Sequence, residues 1–136
     1  MNTLVCALIF LLFFIGFCQA ENPEKYCIRT LKDTHFDCIV YCKYNYYVFT
    51  DGKFSIDKKH MDNLTYILIK YKAVDSSRKK QVQEHLEKCK EKAIRKNKTP
   101  SCDRIMDYYR CVVDDKLIDF DKYDRAMRMY DSTIIV

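Results

Sequence analysis

The sequence predicts an all-α protein, a compact bundle of about six helices held by disulfides. Three observations favour this fold class. After residue 20 the chain keeps one glycine, Gly52, and two prolines, Pro23 and Pro100. A β-sandwich or barrel needs many tight turns, which are built largely from glycine, proline and asparagine–glycine pairs. Apolar residues also recur at helical spacing, and six cysteines remain for cross-links.

The chain of 136 residues is long enough for one domain and too short for two. Its first twenty residues carry no charge and contain an apolar run from Leu4 to Phe17, followed by Cys18-Gln19-Ala20. This pattern is typical of a cleaved secretory signal, and the run is shorter than the ~20 residues of a membrane span. We therefore predict a signal peptide at residues 1–20 and a single secreted domain at residues 21–136.

The first half of that domain contains signals for three helices. Asn22-Pro23 is a cap followed by a proline in the first helical position, and this helix should reach about Lys32. A second helix is predicted from Thr34 to near Phe49, before the turn at residues 51–53. Ser55 is predicted to cap the third. Its expected buried face consists of Met61, Leu64, Ile67, Leu68 and Tyr71.

The second half predicts three more helices. After a break at residues 75–76, a long helix should span residues 77–95, and Thr99-Pro100 should start the next. Asp119 is predicted to cap the last helix, and the apolar tail at 134–136 should be tucked against the body. The expected core residues of these helices are Val82, Leu86, Cys89, Ala93, Ile105, Met106, Tyr109, Val112, Phe120, Tyr123, Met127 and Tyr130.

The six remaining cysteines indicate a secreted disulfide framework. An oxidising compartment favours pairing, and an even count predicts three bridges with fifteen possible connectivities. A bridge between Cys102 and Cys111 is excluded, because nine residues of one helix separate them by about 13.5 Å. A zinc site is disfavoured, since no C-x-x-C occurs and the histidines lie in no ligand spacing. We expect no metal and no cofactor. The cysteines are Cys27, Cys38, Cys42, Cys89, Cys102 and Cys111.

The net charge of +5 is unevenly distributed along the chain. Residues 21–69 sum to zero and residues 99–136 to −2, whereas residues 70–98 contain eleven basic and four acidic side chains. The excess therefore comes from twenty-nine residues, most of them in the long helix. Such local asymmetry favours a polyanionic partner.

At 100° per residue, five side chains of this helix fall within an ~80° stripe, here called the basic stripe: Gln81, His85, Lys88, Lys92 and Arg95. The stripe is roughly 21 Å long, enough to follow several sulfates or phosphates. The alternative is a merely solvated helix, in which Glu84 pairs with Lys88 and Glu91 with Arg95. The predicted binding residues are Arg78, Lys79, Lys80, His85, Lys88, Lys92, Arg95, Lys96 and Lys98.

A secreted protein would meet extracellular anions, not nuclear nucleic acid. The candidate partners are heparin-like glycans, polyphosphate and anionic host surfaces, with host coagulation factors as a further class. Binding would release counterions, so affinity should fall as salt rises.

The tyrosines, the sequons and the remaining polar residues offer further interpretations. Eleven tyrosines, with clusters at 41–47 and 108–109, favour either core packing or a pocket for a biogenic amine or lipid. Asn63 and Asn97 begin candidate glycosylation sequons. Catalysis is not expected, because no Gly-x-Ser-x-Gly or His-Glu-x-x-His motif occurs and His60 lies near Asp62 without a calcium loop. The acidic residues of 114–131 are expected to balance basic neighbours on a solvated helix.

The spacings Cys38-x3-Cys42 and Cys102-x8-Cys111, with Cys89 between them, resemble the six-cysteine pattern of insect odorant-binding proteins. The gap from Cys27 to Cys38 is shorter than in typical members, so less chain is available to wall an odorant cavity. Four segments resemble the small salivary proteins of sand flies: CKYNYYVF (42–49), ILIKYKAVD (67–75), HLEKCKEK (85–92) and DYYRCVV (107–113).

The resemblance covers nearly the whole of residues 21–136 and implies an odorant-binding-protein-like helical fold. It also implies the bridges Cys27–Cys42, Cys38–Cys102 and Cys89–Cys111. Members of the salivary group are associated with binding anionic polymers and blocking surface activation of coagulation, and the resemblance implies the same activity here.

Overall fold

The computed structural model describes residues 20–136, and in that part of the chain it contains six α-helices, two 3-10 turns and no strand. The predicted signal peptide lies outside the described residues except for Ala20. The helices are α1 (Pro23–Leu31), α2 (Ile39–Tyr46), α3 (Lys58–Lys70), α4 (Lys79–Lys96), α5 (Cys102–Val113) and α6 (Phe120–Asp131), with 3-10 turns at Phe36–Cys38 and Ser76–Arg78. The predicted fold class is confirmed.

Two of the predicted helix starts are confirmed. The Asn22 side chain accepts a hydrogen bond from the Lys25 N–H (3.1 Å), and the Asp119 side chain accepts one from the Lys122 N–H (3.0 Å). Both side chains satisfy a backbone donor that has no partner within the helix. The boundary expected at Lys32 is also correct to within one residue.

The long helix predicted at residues 77–95 is also confirmed, to within two residues at each end, as Lys79–Lys96. Three other start signals were wrong. The Phe36–Cys38 turn replaces a cap at Thr34, α3 begins after Asp57 instead of Ser55, and α5 begins after Ser101, two residues beyond the proposed proline position. α2 ends at Tyr46, short of Phe49. Each error lies in a turn or loop next to a helix, where the regular spacing of apolar residues that predicts a helix is absent.

Because glycine is scarce, two helices are followed by a non-glycine residue in the left-handed region. Val48 and Lys72 follow α2 and α3 in the left-handed region, both at φ 59°. This position usually holds glycine, because other residues pay a steric cost there. The Phe49 N–H donates to the Tyr44 carbonyl (2.9 Å) and the Ala73 N–H to the Leu68 carbonyl (2.8 Å), which closes each helix. The one described glycine, Gly52, does not have a positive φ.

The core lies between α3, α4, α5 and α6, with aromatic rings from α2 and its following turn. Most predicted core positions are buried, but Phe120 is half exposed, and Met106, Tyr109 and Tyr130 are only partly covered. The tail is tucked in part: the Val136 N–H donates to the Glu21 carbonyl (2.9 Å) and Ile134 packs on the core, while Ile135 is exposed. Side chains with no more than 1% exposure include Leu64, Leu68, Val82, Leu86, Ile105, Tyr108, Val112 and Ile118.

The three implied disulfides are all present. Cys27–Cys42 joins α1 to α2, Cys38–Cys102 joins the turn before α2 to the start of α5, and Cys89–Cys111 joins α4 to α5. Each bridge stabilises the fold by roughly 2–4 kcal/mol, chiefly by restricting the unfolded chain. Through these bridges α1 and α2 are connected to α5, and α3 is the one helix of the first half that is not.

Asp131 is a buried junction that the sequence analysis missed. It is 2% exposed, and its Oδ1 accepts hydrogen bonds from the Glu24 N–H at the start of α1 (2.9 Å) and from the Tyr47 hydroxyl (2.7 Å). Burial raises the pKa of Tyr47, so the hydroxyl keeps its proton and donates. Asp131 thus ties the end of α6 to α1 and to the end of α2. Its neighbour Asp124 does behave as predicted and pairs with Arg128 at the surface (2.7 Å).

His60 is a second buried polar group, 1% exposed, in the first turn of α3. Its Nδ1 accepts a hydrogen bond from the Asp57 N–H (3.0 Å), so the neutral ring serves as part of the helix cap. Burial lowers the pKa of His60, with a further contribution from Lys59, against the opposing effect of Asp51 and Asp57.

Replacing Asp131 with alanine should lower the free energy of unfolding by about 2–4 kcal/mol, because two buried donors lose their acceptor. Tyr47→Phe should cost about 1 kcal/mol, since it removes only one of the two bonds. Urea unfolding with the disulfides intact measures both. Asp124→Ala is the matched control and should change stability by less than about 1 kcal/mol. Equal losses in Asp131→Ala and Asp124→Ala would contradict the junction.

Acidification should destabilise the fold through His60. Because its folded pKa lies below the ordinary value of 6.5, the unfolded chain binds more protons once the pH falls below that value. This contribution to stability is complete above pH 6.5 and is lost as the pH falls towards the folded pKa. Thermal unfolding of the protein and of His60→Gln, between pH 7.5 and 5, checks this. The glutamine can accept the same bond but does not titrate, so its curve should decline less, and parallel curves would refute the assignment.

Candidate anionic-polymer interface

The cation-rich helix α4 is fixed at both ends and along one side. Before it, the Asp75 side chain accepts a hydrogen bond from the Ser77 N–H (2.8 Å). After it, the buried Arg104 donates through Nε to the Asn97 carbonyl (2.9 Å) and through its Nη2 to the Lys98 carbonyl. A guanidinium at the carboxyl end of a helix also complements the helix dipole. Val82, Leu86, Cys89 and Ala93 are buried as predicted, which turns the opposite side of α4 to solvent.

Eight of the nine predicted binding residues are exposed: Arg78, Lys79, Lys80, Lys88, Lys92, Arg95, Lys96 and Lys98. His85 is the exception. Its side chain is 12% exposed, its Nε2 lies 3.2 Å from the Val112 carbonyl oxygen, and its Nδ1 lies 3.8 Å from the Asp115 carboxylate. His85 therefore packs between α4 and α5 beside the Cys89–Cys111 bridge and offers little to a ligand.

Ion pairs neutralise two of the exposed cations. Lys96 lies 2.8 Å from Asp107, and Lys80 lies 4.0 Å from Glu84. Burial acts to raise the pKa of Asp107, but hydrogen bonds from Lys96 and Asn97 hold it below its ordinary value, so this pair is charged on both sides.

The central cations of the basic stripe are not paired in this way. Within residues 20–136, no carboxylate lies within 4.0 Å of the charged nitrogens of Lys88, Lys92 or Arg95. The pairs of Lys88 with Glu84 and of Arg95 with Glu91, on which the solvated-helix alternative rests, are therefore not formed.

The nine residues do not share one face. Helical angles put Lys88, Lys92 and Arg95 together, Lys96 at one edge of them, Lys80 about 100° away, and Lys79 on the side towards α3. The structure thus brings together three of the nine and spreads the others along and around the helix.

Carboxylates border the stripe on its other side. A groove of about 390 Å³ between α4 and the end of α5 is lined by Lys88, Lys92 and Arg95 and also by Glu91, Asp114 and Asp115. The lining of the groove thus contains three cations and three carboxylates, with Glu91 on α4 itself and Asp114 and Asp115 after α5, although no carboxylate of residues 20–136 pairs directly with these cations. A polymer would be attracted to the outer side of α4 and repelled from the groove floor.

The tyrosine cluster packs as core. Tyr44 and Tyr123 share a hydrogen bond between their hydroxyls (2.5 Å), and the Tyr44 ring meets Phe49, Tyr108 and Tyr109 edge to face. The cavity beside this cluster measures about 80 Å³ and is lined by Val40, Lys43, Tyr44, Tyr47, Tyr109, Tyr123, Asp124 and Met127. Pockets for small ligands usually measure about 300–1,000 Å³. This cavity is therefore smaller than a usual pocket for a small ligand.

Both candidate glycosylation sites lie in ordered contacts. The Asn63 amide donates to the Tyr47 carbonyl (2.8 Å), and the Asn97 amide donates to Asp107. A glycan replaces one of the two hydrogens on such an amide. Asn63 donates both of its hydrogens, to the Tyr47 and Val48 carbonyls, whereas Asn97 donates one to Asp107, so a glycan at Asn97 could leave this bond in place.

Three lysines that the sequence did not single out line one groove together with Arg78: Lys72, Lys116 and Lys122. Lys116 and Lys122 belong to a segment with a net charge of −2, and a sum along the chain conceals them.

Residues 20–136 contain no cluster of three or more metal-ligating side chains and no helix long and apolar enough to cross a membrane.

No protein-family model matches the chain. Ayaconin of Lutzomyia ayacuchensis is 49% identical over 121 residues, which cover 89% of this chain and 85% of Ayaconin. Salivary protein 15b and Salivary protein 15a of Phlebotomus duboscqi are 36% and 34% identical over 142 residues, and each alignment covers 100% of this chain and 100% of the relative. At these identities and this coverage, the chain belongs to the family of sand fly salivary proteins that these relatives represent.

Proposed function

We propose that this protein is secreted in saliva and binds anionic polymers, such as heparin-like glycans or polyphosphate, through the exposed cations of α4. By covering such polymers it would inhibit the surface-triggered contact pathway of coagulation, without catalysis. The observation that carries the proposal is a set of three exposed cations, Lys88, Lys92 and Arg95, on one face of a rigid helix, none of which pairs with a carboxylate of the described chain. The secreted and salivary parts rest on the predicted signal and on the relatives' names.

The geometry suits a linear ligand. Lys88 and Arg95 are seven residues apart, which is about 10 Å along the axis, and Lys92 lies between them on the same face. Arginine can form two parallel hydrogen bonds with a sulfate or phosphate, whereas lysine acts as a point charge. Because the Cys89–Cys111 bridge and the buried face hold α4 in place, its cations need little reordering to bind.

The carboxylates of Glu91, Asp114 and Asp115 make this interaction moderate instead of tight. A single sulfate near them would feel nearly balanced charges. A long polymer gains from the many cations that it meets in succession, so the proposed ligand is a chain and not a small ion.

The described structure also supports a relationship to odorant-binding proteins, which we infer from the connectivity. The first cysteine pairs with the third, the second with the fifth, and the fourth with the sixth, which is the interlocked pattern that the resemblance implies. The filled tyrosine core suggests that the fold has kept the framework of that class and not its carrier role.

The decisive experiment is the salt dependence of heparin binding. The triple variant Lys88→Gln, Lys92→Gln, Arg95→Gln should reduce the slope of log affinity against log salt by about two to three, because fewer counterions are released. The control is Lys25→Gln, Lys32→Gln, Lys53→Gln, which removes the same charge from exposed positions elsewhere. Equal losses in the two variants would show that only net charge matters and would refute the site.

Plasma clotting tests the physiological part. The protein should prolong clotting that is started by an anionic surface, and the α4 triple variant should lose most of this effect. Added polyphosphate in excess should relieve the inhibition. Undiminished inhibition by the α4 variant would point to direct binding of a host factor instead.

A further inference from the structure

A second cationic site lies at the opposite end of α4 from Arg95. A groove of about 530 Å³ opens between the end of α3, the start of α4 and the α5–α6 loop. Four cations from separate parts of the chain line it: Lys72 after α3, Arg78 before α4, Lys116 in the loop, and Lys122 in the first turn of α6. We call it the Lys72 groove.

The Lys72 groove differs from the stripe in its charge balance. It contains four cations against two carboxylates, those of Asp75 and Asp119. Both carboxylates are already used as helix caps, since Asp75 accepts from the Ser77 N–H (2.8 Å) and Asp119 from the Lys122 N–H (3.0 Å). None of the four cations lies within 4.0 Å of a carboxylate in the described part of the chain. The groove therefore keeps a positive excess that nothing described neutralises.

Lys72 occupies its place at a conformational cost. At φ 59° it sits where glycine or asparagine would be less strained. This strained residue contributes one of the three ammonium groups that line the groove. Arg78 is likewise positioned, because its Nε donates to the Gln81 side chain (3.1 Å), which leaves the two terminal nitrogens of the guanidinium for a ligand.

We propose that the Lys72 groove binds a compact oligophosphate, a unit of two or three linked phosphate groups, either free or at the end of a polyphosphate chain. The groove is concave and has the volume of a small-molecule site, and its four cations outnumber its two carboxylates, whereas the groove beside α4 has three of each. A terminal phosphate group carries about −1.5 to −2 charges, so the two ends of such a unit together carry about −3 to −4, close to the charge of the four cations. The inference does not rest on polymer binding by α4, since only Arg78 belongs to both residue sets.

Calorimetry with sodium tripolyphosphate tests the site. The unaltered protein should bind with a stoichiometry near one, and Lys72→Gly with Lys122→Gln should weaken binding at least tenfold. The matched control, Lys88→Gln with Lys92→Gln, removes the same charge from α4 and should change the affinity less than twofold. No saturable binding, or equal losses in the two double variants, would overturn the proposal.

The single variant Lys72→Gly separates binding from folding. Glycine relieves the left-handed strain, so the thermal midpoint should not fall, while tripolyphosphate binding should weaken. A lower midpoint with unchanged affinity would assign Lys72 a purely structural role and overturn its place in the site. Heparin binding by the same variant should be unchanged, so loss of heparin binding through α4 and loss of the oligophosphate site are separate outcomes.

Polyphosphate chains of two lengths distinguish the sources of the ligand, using the α4 triple variant to remove the other surface. At most two protein molecules per chain at either length would show that chain ends enter the groove. No binding of long chains, with tripolyphosphate still bound, would assign the groove to free oligophosphate. Binding that grows in proportion to chain length would contradict a compact ligand.

Discussion

The rotation of α4 about its own axis is the constraint on which both cationic surfaces depend. Cys89 is fully buried and is bonded to Cys111 of α5, while Leu86 and Val82 are buried on the same side. A rigid covalent link and apolar burial at adjacent turns leave one orientation, in which the cations point to solvent. Were α4 free to roll, Lys88, Lys92 and Arg95 would have no fixed relation to the carboxylates of α5, and Arg78 would have none to Lys122.

Much of the fold could be predicted because its determinants are periodic or local. The apolar spacing of α4 and the caps at Asn22 and Asp119 depend only on near neighbours, and the disulfide pairing followed from family resemblance. The failures share a cause as well. Thr34 and Ser55 have good capping chemistry, but packing and the Cys38–Cys102 bridge decide where the chain turns. Asp131 looks like any surface carboxylate until α1 and Tyr47 are brought to it.

The candidate sites show the same limit. A charge sum along the chain predicted an interface within residues 70–98, and eight of the nine residues chosen there are exposed in the structure. It could not show that Asp114 and Asp115 would face the stripe, nor that His85 would be held against Val112. It also concealed Lys116 and Lys122 within an acidic segment, because the fold places Lys116 of the α5–α6 loop and Lys122 of α6 beside the start of α4, and places Asp114 and Asp115 beside its middle. Electrostatic sites are properties of the folded surface, so only three-dimensional placement reveals their true balance.

The hydrogen bond from Val136 to Glu21 brings the two ends of the described chain together. Adjacent ends make a fold suitable for circular permutation, since a short peptide can join them without crossing the structure. The exposed Gly52, with open space around it, offers a place for new ends far in sequence from every cysteine on α4 and α5. Joining the adjacent ends would therefore give a closed chain, and the three bridges would hold the same helices together whichever loop was then opened.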